Sequence, residues 1–312
     1  MIIYSEGYFT SKDGETSIHY NKWMPENEKV KAVVQIAHGV AEYGKRYEPF
    51  AEFLAEHGYI VVANDHLGHG KSLIKDAPMV YLGEHSGWWN VVDDVEQLRA
   101  MTAEEYPDLP YFLFGHSMGS FISRTHLIRH KGKLDGCILC GTGFLPKPMI
   151  AGGKLIANIE IKRLGKKGYS KVADKLAFGA YNKKFAPNRT AFDWVSLNEE
   201  NVDAYISDPL CGGKTTLGLF RDMLGGLSYI NTQKNINTMD QNQPVLFISG
   251  DQDPVGEMGK GVKKAYNAFK DAGLKDVKIK LYKGLRHEIL NEKEHEEVYE
   301  DVLNWLDDHT EK

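Results

Sequence analysis

Short, nearly continuous apolar runs, most of them ending at glycine or aspartate, constrain this chain more than any other feature. They are KAVVQIAHG at 31–39, YIVVAND at 59–65, YFLFG at 111–115, LDGCILCG at 134–141 and PVLFISG at 244–250, followed by the more mixed VKIKLYKG at 277–284. A strand with one wet face alternates apolar and polar residues, whereas a strand covered on both faces reads as an unbroken apolar run. Segments with helical patterning separate the runs: YEPFAEFLAEHG, NVVDDVEQLRAMTAEEYP (with Trp88-Trp89 just before it), SMGSFISRTHLIRHKGK, GEMGKGVKKAYNAFKDAG and the closing HEEVYEDVLNWLDDH. Strands alternating with helices predict an α/β fold with a mostly parallel central sheet and helices on both faces. Ahead of them, YFTSKDGETSIHYNKWMP alternates in character and breaks at Asp13-Gly14, which predicts a β-hairpin.

The run YFLFG leads into Gly115-His116-Ser117-Met118-Gly119, a serine framed by glycines at a spacing of two. A strand before it and a helix after it are the context a G-x-S-x-G nucleophile elbow requires. A nucleophilic serine needs a base, and the base needs an orienting carboxylate. On such a sheet these sit on loops at the strands' C-terminal ends, in the order Ser, Asp or Glu, His. PVLFISG runs into Asp251-Gln252-Asp253-Pro254, and VKIKLYKG runs into Leu285-Arg286-His287. His287 is the expected base, since His295 falls mid-helix among glutamates and His309 lies in the tail. Asp251 follows the strand directly, where a side chain often ties down the turn. Asp253, braced by Pro254, is the expected orienting carboxylate, with Asp251 as the alternative. The backbone N–H groups of Met118 and Val40 are the expected oxyanion donors, with Gly39 letting the loop turn inward. His38 in that loop is expected to brace it rather than to act as a base.

Between about Gly143 and Thr238 the alternation stops, and helical stretches such as KLIANIEIKRLG, KVADKLAFGAYNKKF and TTLGLFRDMLGGLSYI take over. The expected organisation is a core of residues 1–142 and 239–312 with a mainly helical cap inserted at 143–238, over the sheet edge where ligands bind. Met149, Ile150, Leu155 and Ile159 are its candidate acyl wall, and packing onto the core is the compatible alternative. From Leu145 to Phe185 stand ten basic residues against Glu160 and Asp174, a net +8, so the rest of a chain of net charge -5 carries -13. That face is expected either to be solvated or to make transient contact with an anionic membrane surface.

These segments resemble the α/β-hydrolase superfamily, in its monoacylglycerol lipase and lysophospholipase-like branch. The resemblance rests on HGVAEYGKRY at 38–47, DHLGHGKS at 65–72, the GHSMG elbow, and the acid and histidine loops GDQD at 250–253 and GLRH at 284–287. It implies the α/β-hydrolase fold and the triad Ser117, Asp253 and His287, and it adds Glu42 and Arg46 of the oxyanion loop as substrate-binding residues. The chain departs from the pattern at Val40-Ala41, where relatives often carry a small residue and glycine. The activity implied is hydrolysis of carboxylic esters, of monoacylglycerol or lysophospholipid type, through an acyl-serine. Thioesters, small esters, aminopeptidase-like amide substrates and a silent binding protein of the same fold are the alternatives.

No cofactor and no metal is expected. Cys137 and Cys140 have C-x-x-C spacing, but inside a strand they point to opposite faces. Three cysteines fit a reducing compartment. The N-terminal MIIYSEGYFTSKDG lacks a cationic segment followed by an apolar run, and no stretch reaches the roughly 20 apolar residues of a membrane span. A cytoplasmic protein is expected, and its net acidity makes nucleic acid a poor partner.

Overall fold

The computed structural model describes residues 1–26 and 29–310. It opens with strands β1 (Ile2–Thr10) and β2 (Ser17–Pro25), paired antiparallel from Ile2↔Pro25 to Thr10↔Ser17. The hairpin closes as expected at Asp13-Gly14. Asp13 accepts the amides of Glu15 and Thr16 at 2.9 and 2.8 Å, and Gly14 takes a φ of 88°. Then follow β3 (Ala32–Ala37), α1 (Glu48–Glu56), β4 (Tyr59–Asn64), α2 (Gly87–Glu105), β5 (Tyr111–His116), α3 (Met118–Arg129) and β6 (Gly136–Cys140). Between β6 and β7 (Val245–Gly250) lie α4 (Lys147–Leu164), α5 (Lys171–Ala177), α6 (Glu199–Ser207), α7 (Leu217–Ile230) and the single turn α8 (Gln233–Ile236). The chain ends with α9 (Lys260–Asp271), β8 (Val277–Tyr282) and α10 (His295–Thr310).

The eight strands form one sheet in the order β1-β2-β4-β3-β5-β6-β7-β8. β2 meets β4 antiparallel, and every pairing from β4 through to β8 is parallel. The unbroken apolar runs are explained by the two cores. Ala32, Val34 and Ile36 of β3 join Phe112 and Phe114 of β5 under α1 and α10. Val33 and Ala37 join Leu113 on the opposite face, under α2, α3 and α9. Cys137 and Cys140 divide between those two cores, so they cannot act as a pair. Among the described residues no helix is long and apolar enough to cross a membrane. Because β3 to β8 run parallel, the loops after them gather along one sheet edge, which is where the candidate site lies.

Candidate active site

β5 delivers Ser117 directly into α3 with φ 54° and ψ -120°. A non-glycine residue held there costs on the order of 1–3 kcal/mol, and the surroundings enforce it. The flanking glycines allow the close approach. A Cβ at Gly115 would run into the Ser123 hydroxyl, and one at Gly119 would overlap the Ala37 carbonyl of β3. Any side chain at either position would push α3 away from the sheet. The Ser117 N–H donates to the Cys140 carbonyl at 2.9 Å, which pins the turn.

The loops after β7 and β8 bring Asp253 and His287 together. His287 Nδ1 is 3.0 Å from Asp253 Oδ2, and both side chains are buried. Asp253 Oδ1 accepts the Val255 amide at 2.9 Å, and the Ser249 hydroxyl reaches Oδ2 at 3.2 Å, so the carboxylate is fixed from several sides. Asp251 instead accepts the Gly284 amide at 2.8 Å and braces the turn after β8. The indole of Trp194 lies across His287 with centroids 5.2 Å apart. Ser117 and His287 face the same cavity.

The loop after β3 is held by imidazoles. His38 Nδ1 faces its neighbour's carbonyl, Gly39 O, at 2.7 Å, and Nε2 accepts the His66 amide at 2.8 Å. Both bonds suit a neutral ring, and burial, with His69 alongside, pushes the His38 pKa down to about 3. His38 is a brace, as its position suggested. Asp65 supports the loop from behind, accepting the amides of Gly44 and Lys71 at 2.8 Å each. Val40 lines the cavity, and neither its N–H nor that of Met118 has an acceptor among the described residues.

Of the two residues expected from the oxyanion loop to bind substrate, Glu42 borders the cavity and Arg46 stands behind it. Arg46 does not line the cavity. Its Nη1 donates to Glu42 at 2.6 Å and to Glu288 at 2.9 Å, and Nη2 donates to Glu288 at 3.0 Å. Glu42 reaches the cavity wall, but its oxygens also accept from the Gly39 amide at 2.5 Å and the Tyr47 hydroxyl at 2.8 Å. Burial works against ionising Glu42, yet the His116 hydrogen bond and the Arg46 charge outweigh it and hold its carboxyl well below the usual range. Glu288 is also lowered, its burial overcome by Arg46. Burial likewise opposes the charge on His116, and its contact with Glu42 prevails and raises its pKa. A protonated ring fits its neighbours: Nε2 faces the His287 carbonyl at 3.3 Å, and Nδ1 faces Tyr47 and Glu42 at 2.8 and 3.4 Å. Breaking such a buried ion pair from one side costs on the order of 3–5 kcal/mol. Glu288, directly after the expected base, was not foreseen.

The cavity at Ser117 encloses about 530 Å³. Its apolar wall is Val40, Phe178, Phe192, Trp194, Val195 and Tyr205. Met149, Ile150, Leu155 and Ile159, the expected acyl wall, do not line it. Ile150 is buried in the core on the α7 side, while Met149, Leu155 and Ile159 are 61, 62 and 56% exposed. α4 is apolar on more than one side and α7 covers only one of them. Leu155 and Ile159, one turn apart, share an outward face. Apart from Val40, the wall comes from α6 and the irregular chain between α5 and α6. The only sequence hint there was the aromatic pair in Phe192-Asp193-Trp194. Among the described residues no group of three or more His, Cys, Asp or Glu is placed to hold a metal ion.

An eight-stranded sheet of this order, with a strained serine between β5 and α3 and an acid and a histidine after β7 and β8, defines an α/β-hydrolase. The chain belongs to the Hydrolase_4 family (serine aminopeptidase, S33), which matches residues 28–294. It is 30% identical to a monoacylglycerol lipase of Mycolicibacterium smegmatis over 300 residues, covering 95% of each chain. With the monoglyceride lipase of Homo sapiens it shares 28% identity over 293 residues, covering 92% of this chain and 86% of the relative. The crystal structure of a thermostable carboxyl esterase from Bacillus coagulans, in complex with glycerol, superposes with a TM-score of 0.91 at 29% identity, covering 98% of this chain and 99% of that one.

Proposed function

We propose that this carboxylic ester hydrolase cleaves monoacyl lipid esters, of monoacylglycerol or lysophospholipid type, through an acyl-Ser117 intermediate. The observation that carries the reading is the strained Ser117 lining the same aromatic-walled cavity as His287, with His287 bonded to a buried Asp253. The names of the two lipase relatives support the substrate class. His287 takes the Ser117 proton as the oxygen attacks the ester carbonyl, and Asp253 orients the ring and stabilises the imidazolium. The free amides of Val40 and Met118 receive the oxyanion. His287 then protonates the departing alcohol, and water, activated by the same ring, releases the acid.

Phe178, Phe192, Trp194 and Tyr205 supply the acyl wall in this reading. Each methylene that enters it adds up to roughly 0.8 kcal/mol, close to fourfold in kcat/KM. A series of monoacyl esters should therefore show kcat/KM climbing with chain length and falling once the cavity is full. Phe192→Asp should flatten the climb and spare a short acetate ester, while Leu155→Asp on the exposed face of α4 should leave the climb unchanged. A flat wild-type profile would favour a small ester or an amide as the substrate.

The helical segment 143–238 serves as a lid that meets lipid aggregates. Met149, Leu155, Ile159, Val172 and Leu176 stand exposed on α4 and α5, among the basic residues that give Leu145 to Phe185 its +8. Apolar side chains flanked by lysines suit the interface of an anionic membrane. The protein should cosediment with vesicles containing phosphatidylglycerol more than with phosphatidylcholine vesicles. Salt should weaken this as the screening length falls from about 10 Å at 0.1 M to about 3 Å at 1 M. The paired change Leu155→Asp and Ile159→Asp should reduce cosedimentation at every salt concentration; binding equal to wild type would remove α4 from the contact. A cytoplasmic setting fits the three cysteines, all free and buried.

A further inference from the structure

The loop after β3 and the loop after β8 are far apart in sequence, yet one guanidinium holds them together. Arg46 stands 242 residues before Glu288 and binds both of its carboxylate oxygens, while Nη1 also reaches Glu42. Glu42 in turn accepts the amide of Gly39, which directly precedes Val40. Glu288 directly follows His287. His116, beside Ser117, closes the circuit between Glu42 and the His287 carbonyl. From α6, Asn201 donates to Glu288 at 2.8 Å and accepts from Arg46 at 3.4 Å, so the helical segment joins the same cluster. Glu42, His116 and Glu288 border the cavity with their side chains bonded within this cluster, and Arg46 and Asn201 do not line the cavity at all.

We infer that Arg46 is a positioning residue for acyl transfer. By gripping Glu42 and Glu288 at once, it fixes the Val40 amide relative to the His287 imidazole, two groups that act on opposite sides of the same carbonyl. The inference rests on the assignment of Val40 and His287 given under the proposed function. A displacement near 1 Å in such a constellation costs on the order of 100-fold in rate, so a loosened grip is read in kcat before it is read in substrate binding. Lysine keeps the charge but offers a compact ammonium in place of a planar fork, and it cannot reproduce the two-pronged grip on Glu288 while also reaching Glu42. Gln at 288 keeps the shape and removes the charge that Arg46 grips.

The test compares Arg46→Lys and Glu288→Gln with wild type on a short acetate ester, alongside binding of an alkylboronic acid as a tetrahedral-adduct mimic. Thermal melting supplies the folded fraction, and Ser117→Ala is the control. Both variants should lose about 10- to 100-fold in kcat with KM changed less than about threefold. Boronate affinity should fall by a factor comparable to that in kcat/KM. Wild-type kcat in both folded variants would overturn the inference. So would a loss confined to KM with boronate affinity unchanged, because that outcome returns Arg46 to substrate binding. If Ser117→Ala kept full turnover, the proposed function itself would fail, and that result is separate from either of these.

Discussion

Ser117→Ala should lower ester hydrolysis by at least about a thousandfold while the protein stays folded. The loss is large because nothing nearby can substitute. The Ser120 hydroxyl donates to the Ser117 carbonyl at 2.6 Å, and that of Ser123 donates to the Gly119 carbonyl at 2.8 Å, so both are committed to the helix. Neither sits at the strained turn that presents Ser117 to the cavity. Stability should change little. The Ser117 side chain makes no hydrogen bond among the described residues, and alanine meets the same backbone penalty at a φ of 54°. Turnover of a short ester, labelling by a fluorophosphonate and a thermal melt measure the three parts. A variant that still turns over at the wild-type rate would move the nucleophile to another residue.

Asp253→Asn should reduce kcat on the order of 10⁴-fold, and Asp251→Asn by less than about tenfold. An amide at 253 can present its NH₂ to His287 Nδ1, which stabilises the tautomer whose Nε2 carries the proton and cannot accept one from Ser117. A buried acid-to-amide change in a triad has an effect of that size. It also leaves the imidazolium without its counter-charge, 3.0 Å away in the present arrangement. At 251 the accepted bond comes from the Gly284 amide, and an asparagine oxygen can accept it equally well. Steady-state rates of the two variants on one ester decide the matter, and equal losses would remove the distinction between the two aspartates.

The unbroken runs at β3 to β7 announced strands covered on both faces, because only such strands can dispense with polar residues. The elbow was legible because GHSMG follows a strand and opens a helix, and the glycines are required by contacts with Ala37 and Ser123. Pro254 and the two-residue offset favoured Asp253 over Asp251, and the geometry of the two loops is in keeping with that preference. These features are local: each is written within about ten residues of where it acts.

The cavity wall and the Arg46 grip are not local. The apolar residues of α4 told correctly that some of its faces avoid water, but helical spacing does not say which neighbour covers which face. Ile150 went to the core on the α7 side and Leu155 and Ile159 went to the surface, while Phe178, from the stretch KVADKLAFGAYNKKF, and Phe192, from a segment with no periodicity, reached the cavity. Arg46 and Glu288 carry no mark in the sequence that pairs them across 242 residues. The chain by itself determined the strands, the elbow and the order of the expected acid and base, because apolar runs, glycine placement and turn residues are written within a few residues of where they act. Only the tertiary structure decided what walls the cavity at Ser117 and what joins the loops after β3 and β8, because side-chain packing and buried charge pairing depend on which surfaces folding brings face to face.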